Sequence, residues 1–303
     1  MDAMIISKLP SQRLRDWYAQ CHHFAFGPHH IVYRCSENWE SSAAPVLVLV
    51  HGFPTSSFDW IEIWSALSQN FRLLAPDLLG FGLSSKPRPH KYSIKEQADA
   101  IEALLALNQV DEWRLLAHDY GDSVAQELLA RHIERPAAPH PSRLCSVALL
   151  NGGLFPETHR PRLIQKLLLS PLGPWLAERL NRERFGRSFR AVFSDQHQPG
   201  DAALDEFWAL IAQAEGHLIA PLLLRYIPER RQYRQRWVAA LSESTIPLRL
   251  INGLADPVSG AHMVARYREL ITAPDIVELP GIGHYPQIEA PKRVVQAVRD
   301  QKL

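Results

Sequence analysis

The chain has 303 residues, enough for one catalytic domain with an insertion or for two domains. Its hydrophobic fraction of 46% and charged fraction of 21% are those of a globular protein, and a formal net charge of +1 provides no basic footprint for nucleic acid. Three scattered cysteines, Cys21, Cys35 and Cys145, with no CxxC pair, exclude a disulfide framework and a structural zinc from expectation and favour a reducing compartment, the cytoplasm.

Met1 to Ile6, followed by Ser7, Lys8 and Pro10, is too short and broken an apolar stretch for a signal peptide. No run of about eighteen unbroken apolar residues occurs anywhere, so no membrane span is expected. Strands are predicted at Ile31 to Tyr33, Val46 to Val50, Phe71 to Ala75, Trp113 to Ala117, Leu144 to Leu150, Leu248 to Ile251 and Ile276 to Leu279. The valines of Val46 to Val50 and the Gly52-Phe53-Pro54 that follows favour a strand buried on both faces over a helix. Between strands, Ile94, Ala98, Ile101, Leu104 and Leu105 recur at near-helical spacing after Ser93 and Glu96, a capping-box pattern. Val124, Leu128, Leu129 and Ile133 mark a second helix. Such alternation implies a mostly parallel sheet with helices on both faces.

The alternation stops after Leu150. Residues 154–245 read as a Pro-interrupted helical cap inserted between two parts of one core, 1–153 and 246–303. Arg225, Arg230, Arg231, Arg234 and Arg236, near the end of the insertion, read as a solvated helix face rather than an anion-binding patch.

The segment Ala117-His118-Asp119-Tyr120-Gly121 joins a buried strand to a helix with small residues two places on either side of an Asp. This is the form of a nucleophile elbow, in which a sharp turn lifts the central side chain above the sheet. Two readings are open for Asp119 alone: a nucleophile, or a cap on the helix that follows. Asp122, one turn on, reads as an exposed residue of the helix N-terminus. Two loops favour the nucleophile. His51-Gly52-Phe53-Pro54 follows a strand at the place where such a fold draws one oxyanion-hole N–H, so the backbone amides of Phe53 and Tyr120 are the candidate donors. Gly283-His284-Tyr285-Pro286 follows the last strand and offers His284 as base. Asp256, after the preceding strand, is the acid that would orient it, the alternative being an Asp-Pro turn residue. The order nucleophile, acid, base is the one this arrangement requires.

Together these segments resemble the α/β-hydrolase superfamily, in its epoxide hydrolase and haloalkane dehalogenase branch. A closer resemblance is to the mesoderm-specific transcript proteins and their bacterial relatives. It is carried by HGFPTSSFDW (51–60), DLLGFGLSSKPRPHKYSI (77–94), HDYGDSVAQELL (118–129), NGGLFPETHRP (151–161), RWVAAL (236–241) and HYPQIE (284–289), and covers nearly the whole chain beyond about residue 20. Vertebrate members carry an N-terminal membrane segment for which no equivalent is seen here. The resemblance supplies no substrate.

A carboxylate nucleophile suits attack on an sp³ carbon, which yields an ester that a His-activated water then hydrolyses. The expected partners are therefore a small hydrophobic electrophile and water, with no metal and no organic cofactor. For an epoxide, the resemblance implies acid help from cap tyrosines. Tyr226 has the appropriate position, a partner from the first half of the cap is missing, and Tyr233 is a substitute of uncertain direction. For a halide, it implies an indole after the nucleophile and a Trp or Asn. Tyr120 and Phe53 stand there instead, leaving Trp175, Trp208 and Trp237 as donors or as core. A reading of another class, a non-catalytic binder of hydrophobic ligands, leaves Asp256 and His284 without a purpose. Oligomeric state is not legible.

Overall fold

A computed structural model describes residues 3–135 and 142–301. Eight strands form one sheet: β1 (Cys21–Phe26), β2 (His29–Cys35), β3 (Val46–Val50), β4 (Arg72–Pro76), β5 (Glu112–His118), β6 (Arg143–Leu150), β7 (Leu248–Gly253) and β8 (Asp275–Leu279). The order is β1-β2-β4-β3-β5-β6-β7-β8. β2 pairs antiparallel with β1 and with β4, and all pairs from β4 through β8 are parallel. The sheet is thus the mostly parallel one expected, extended at one edge by a hairpin whose first strand the sequence reading misses. Cys21–Phe26 carries two histidines, and only Cys21 is buried, so no apolar run marks it.

The central strand β3 explains why a continuous apolar run was needed. Val46, Val48 and Val50 enter the core on one face of the sheet, and Leu47 and Leu49 enter the core on the other. Alternate side chains of a strand point to opposite faces, so a strand covered on both sides has no polar position. The apolar spacing read from Ile94 to Leu105 lies on a helix that runs Ile94–Leu107. Its cap is half of a capping box: Ser93 Oγ accepts from Glu96 N at 3.1 Å, whereas the Glu96 carboxylate turns to His90 Nε2 at 2.9 Å.

Between β6 and β7 the described structure is helical, with Arg182–Arg190, Asp201–Ala212, Tyr226–Gln232 and Arg234–Ser242 among its helices. Residues 201–232 have the length and apolar content of a membrane-spanning helix, a feature absent from the expectation above. The chain there is not one straight helix. It kinks at Ala214 and Glu215, where φ is 49° and 56°, and passes Pro221 and Pro228, so it breaks into short helices.

β5 runs straight into the helix Tyr120–Glu134, and the turn between them is tight because Gly121 has no side chain. A Cβ placed there would lie 2.2 Å from the Val50 carbonyl oxygen and 2.8 Å from that of His51. Substitution Gly121→Ala should therefore destabilise the protein by about 1–3 kcal/mol or more, as overpacking against unyielding backbone does. Urea unfolding checks this, and an unchanged midpoint would mean that β3 and the turn can separate.

Candidate active site

The turn places Asp119 at the C-terminal end of the parallel strands with φ 47° and ψ −101°, a conformation few L-residues adopt. Its side chain is buried and makes no capping bond to the helix that follows. Instead Oδ2 accepts the Phe53 N–H at 3.1 Å, while Tyr120 begins the helix, where N–H groups have no acceptor within it. Gly52 allows the approach: a Cβ there would lie 3.0 Å from that of Asp119.

His284 and Asp256 meet beside it. His284 Nδ1 bonds Asp256 Oδ2 at 2.7 Å. The carboxylate also accepts from Val258 N at 2.7 Å and from Asn151 Nδ2 and Ser259 Oγ, both at 2.9 Å. The structure thus brings Asp119, Phe53, Tyr120, Asp256 and His284 to one edge of the sheet.

Burial disfavours the His284 imidazolium, but the charge and hydrogen bond of Asp256, aided by Asp119, outweigh it and raise its pKa to about 9. Burial likewise disfavours the Asp256 carboxylate, and His284, Asn151 and Val258 N together reverse that, lowering it to about 2. Both shifts favour the charged form of the pair.

Residues that the motifs do not reveal hold this geometry. Glu289 accepts from Gly283 N, Tyr285 N, Ser194 N and Ser194 Oγ, at 2.9, 3.1, 3.0 and 2.7 Å, and His284 N donates to Val192 O at 2.9 Å. The loop bearing His284 is thereby gripped from the helical segment. His118, pushed well below its usual pKa by burial and then by His284, bonds the His284 carbonyl at 2.8 Å.

Two expectations are corrected. Asp122 is fully buried rather than exposed, because the helix packs its first turn under Gly152, whose hydrogens nearly touch the carboxyl. Burial, then the charge of Asp119, raises its pKa well above the usual range. The arginine cluster is not one solvated face. Arg230 is buried, donates from Nε to Ser123 Oγ at 2.6 Å and from Nη2 to the Asp119 carbonyl at 2.9 Å, and lies 3.8 Å from Asp119 Oδ1. Arg234 pairs with Glu157, and Arg236 with Glu127 and Glu134; Arg225 and Arg231 are exposed.

Tyr226 is buried against this arginine, whose guanidinium carbon lies 4.5 Å from its ring centre, and packs edge-on to Tyr120 at 4.9 Å. Its hydroxyl has no hydrogen-bond partner among the described residues. Burial and the nearby Asp119 raise its pKa, so it stays protonated. Tyr233 lies away from the site, between Trp237 and the Lys95 ammonium. The candidate indoles are elsewhere too. Trp237 donates to Glu127 Oε2 at 2.8 Å, Trp208 packs on Phe185 and His217, and Trp175 is 52% exposed, neither donor nor core. His159, buried near Arg230 and His284, has no bond to either ring nitrogen among the described residues, and burial followed by the Arg230 charge lowers its pKa to about 3.

A cavity of about 90 Å³ opens onto Asp119 and His284, walled by Phe53, Phe185, Phe189 and Val258. Tyr226 does not line it; its ring packs against Phe53, which does, and edge-on to Tyr120. No cluster of metal-ligating side chains occurs among the described residues.

Residues 45–291 match the family described as alpha/beta hydrolase fold. The chain belongs to that family. Among its relatives is the human mesoderm-specific transcript homolog protein, 42% identical over 95% of this chain and 87% of that one. Haloalkane dehalogenase 2 of Mycobacterium tuberculosis is 28% identical over 86% of this hydrolase and 88% of its own length. The solved structure of the epoxide hydrolase CorEH superposes with a TM-score of 0.74 at 17% identity, covering 93% of this chain and 97% of the other, a likeness of fold.

The pair sets a pH dependence of stability. His284 binds its proton more tightly folded than unfolded, where a histidine titrates near 6.5. Its stabilisation is therefore complete below about 6.5 and lost as pH rises through about 9. That of Asp256 is complete above the unfolded value near 3.8 and lost as pH falls through about 2. Urea unfolding of the wild type should show stability falling between pH 6.5 and 9 relative to His284→Gln; parallel profiles in that window would deny the coupling.

Proposed function

We propose that this hydrolase opens epoxides by way of an ester on Asp119. The observation that carries the reading is the alignment at the elbow: a carboxylate with one oxygen already on the Phe53 N–H, beside a histidine oriented by Asp256. Serine at this position would suit acyl transfer. A carboxylate attacking an acyl carbon would give an anhydride, whereas attack on an sp³ carbon gives a stable ester.

In the first step an Asp119 carboxylate oxygen bonds to an epoxide carbon. The C–O bond of the ring breaks, its electron pair stays on the ring oxygen, and that oxygen takes the Tyr226 proton. Esterification removes the Asp119 charge, which helps to hold the proton on His284. The imidazolium then gives up its proton to the Tyr226 phenolate left by ring opening, and the neutral imidazole takes one from the water that attacks the ester carbonyl. The tetrahedral oxyanion is stabilised by the Phe53 and Tyr120 amides. Collapse expels the alkoxide, which takes the proton that the attacking water left on the Asp119 carboxyl, so that a diol leaves and Asp119 returns as carboxylate and His284 as imidazolium.

Pockets for organic ligands usually measure about 300–1,000 Å³. A 90 Å³ cavity with Tyr226 behind its wall implies that the helical segment, acting as a cap, shifts when substrate enters. Halide release is less well supplied, since none of Trp175, Trp208 and Trp237 lines the cavity.

Incubated with a panel of epoxides, His284→Gln should accumulate an enzyme ester, with hydrolysis slowed about 10²–10⁴-fold for loss of a general base. Peptide mass spectrometry should place the adduct on Asp119, and Asp119→Asn should form none. Folded His284→Gln that forms no ester with any epoxide or haloalkane rejects the mechanism, and ester formation from haloalkanes alone replaces the epoxide with a halide. Tyr226→Phe should slow ester formation from epoxides about 10²-fold while leaving breakdown of a preformed ester within a few-fold; pre-steady-state kinetics separates the two steps, and equal slowing of both would make Tyr226 a packing residue.

A further inference from the structure

Six large hydrophobic side chains are markedly exposed among the described residues, and four of them, Leu163, Leu167, Leu172 and Trp175, fall within thirteen residues of the helical segment. Isolated exposed apolar side chains need no explanation, but a contiguous group marks a contact surface. Leu163 and Leu167 belong to the helix Leu163–Leu168, and Trp175 to Gly173–Ala177. Interleaved with them in sequence is the wall of an apolar groove of about 780 Å³, where Leu169 and Leu222 lie beside Lys166, Arg225 and Arg231. No carboxylate lines that groove, and none forms an ion pair with these three cations among the described residues. Neighbouring arginines behave differently: Arg182 and Arg190 are satisfied by Asp201, and Arg187 by Glu183.

We propose that this face docks on an anionic lipid bilayer. A bilayer surface of that kind meets both demands at once, apolar depth for the leucines and negative headgroups for unpaired Lys and Arg. Trp175, with the Arg179 guanidinium 3.7 Å from its ring centre, is the type of aromatic and cationic pair that sits at the headgroup level. A two-fold contact between copies of this chain fits worse, because it would bring Lys166, Arg225 and Arg231 towards their own equivalents.

The face adjoins the catalytic cavity. Arg162, Ile164 and Gln165 line that cavity, whereas Leu163, Lys166 and Leu167 of the same short stretch face outward. A docked enzyme would therefore receive an apolar substrate from the bilayer past this helix. That consequence rests on the reading of the function; the docking itself does not.

Co-sedimentation of the full chain with vesicles, in the absence of substrate, tests it. Binding to phosphatidylcholine vesicles containing phosphatidylglycerol should exceed binding to phosphatidylcholine alone by about a hundredfold at low salt, as three cations near a charged surface imply. It should fall at least about tenfold in the triple variant Leu163→Ser, Leu167→Ser, Leu172→Ser, and separately in Lys166→Gln, Arg225→Gln, Arg231→Gln. Circular dichroism and ester formation with a water-soluble epoxide, both unchanged, would show the variants folded. No binding by the wild type, or equal binding to neutral and anionic vesicles, overturns the proposal. So does a wild-type dimer in light scattering that the leucine variant alone dissociates, which would give the face to a second copy.

Discussion

The arrangement of the site depends on one close approach, the backbone of Gly121 against the Val50 and His51 carbonyls. It brings the start of a helix onto the end of the central strand and forces Asp119, two residues earlier, into an uncommon backbone conformation. Several bonds fix that conformation. Asp119 N donates to the Leu150 carbonyl, and its own carbonyl accepts from Asp122 N and from Arg230. The strain is thus held by β6, by the helix and by the helical segment together, so that relaxing it would mean unpacking all three.

The second constraint is electrostatic. A carboxylate at the elbow, another beside the histidine and a third on the short helix Pro286–Glu289 are all buried. Buried charge is tolerated only where it is paired or well hydrogen-bonded. Asp256 has His284 and three further donors, Glu289 has four donors, and Asp119 has the Phe53 amide with Arg230 close by. For Asp122, burial and the charge of Asp119 outweigh what surrounds it and raise its pKa, and burial does the same for Asp59.

The helical segment contributes to both constraints. Arg230 reaches in to the Asp119 backbone, and Ser194 and Val192 hold the loop of His284. These contacts join parts of the chain about a hundred residues apart. A shift of the segment would loosen the elbow and the base together.

Much was legible in the sequence where the physics is local or periodic. A strand buried on both faces must be apolar throughout, so Val46 to Val50 declared itself; a helix with one covered face repeats its apolar residues, so Ile94 to Leu107 did too. The elbow needs small residues around one reactive side chain, and three loops after three strands carry the residues that meet at the site. What tertiary structure alone decided is which polar side chains are buried and what they meet. Arg230 shares a run with Arg225 and Arg231, and Asp122 lies on a helix N-terminus where acids are usually solvated. Neither spacing nor composition distinguishes a buried arginine from an exposed one, because that difference is made by residues distant in the chain closing over it.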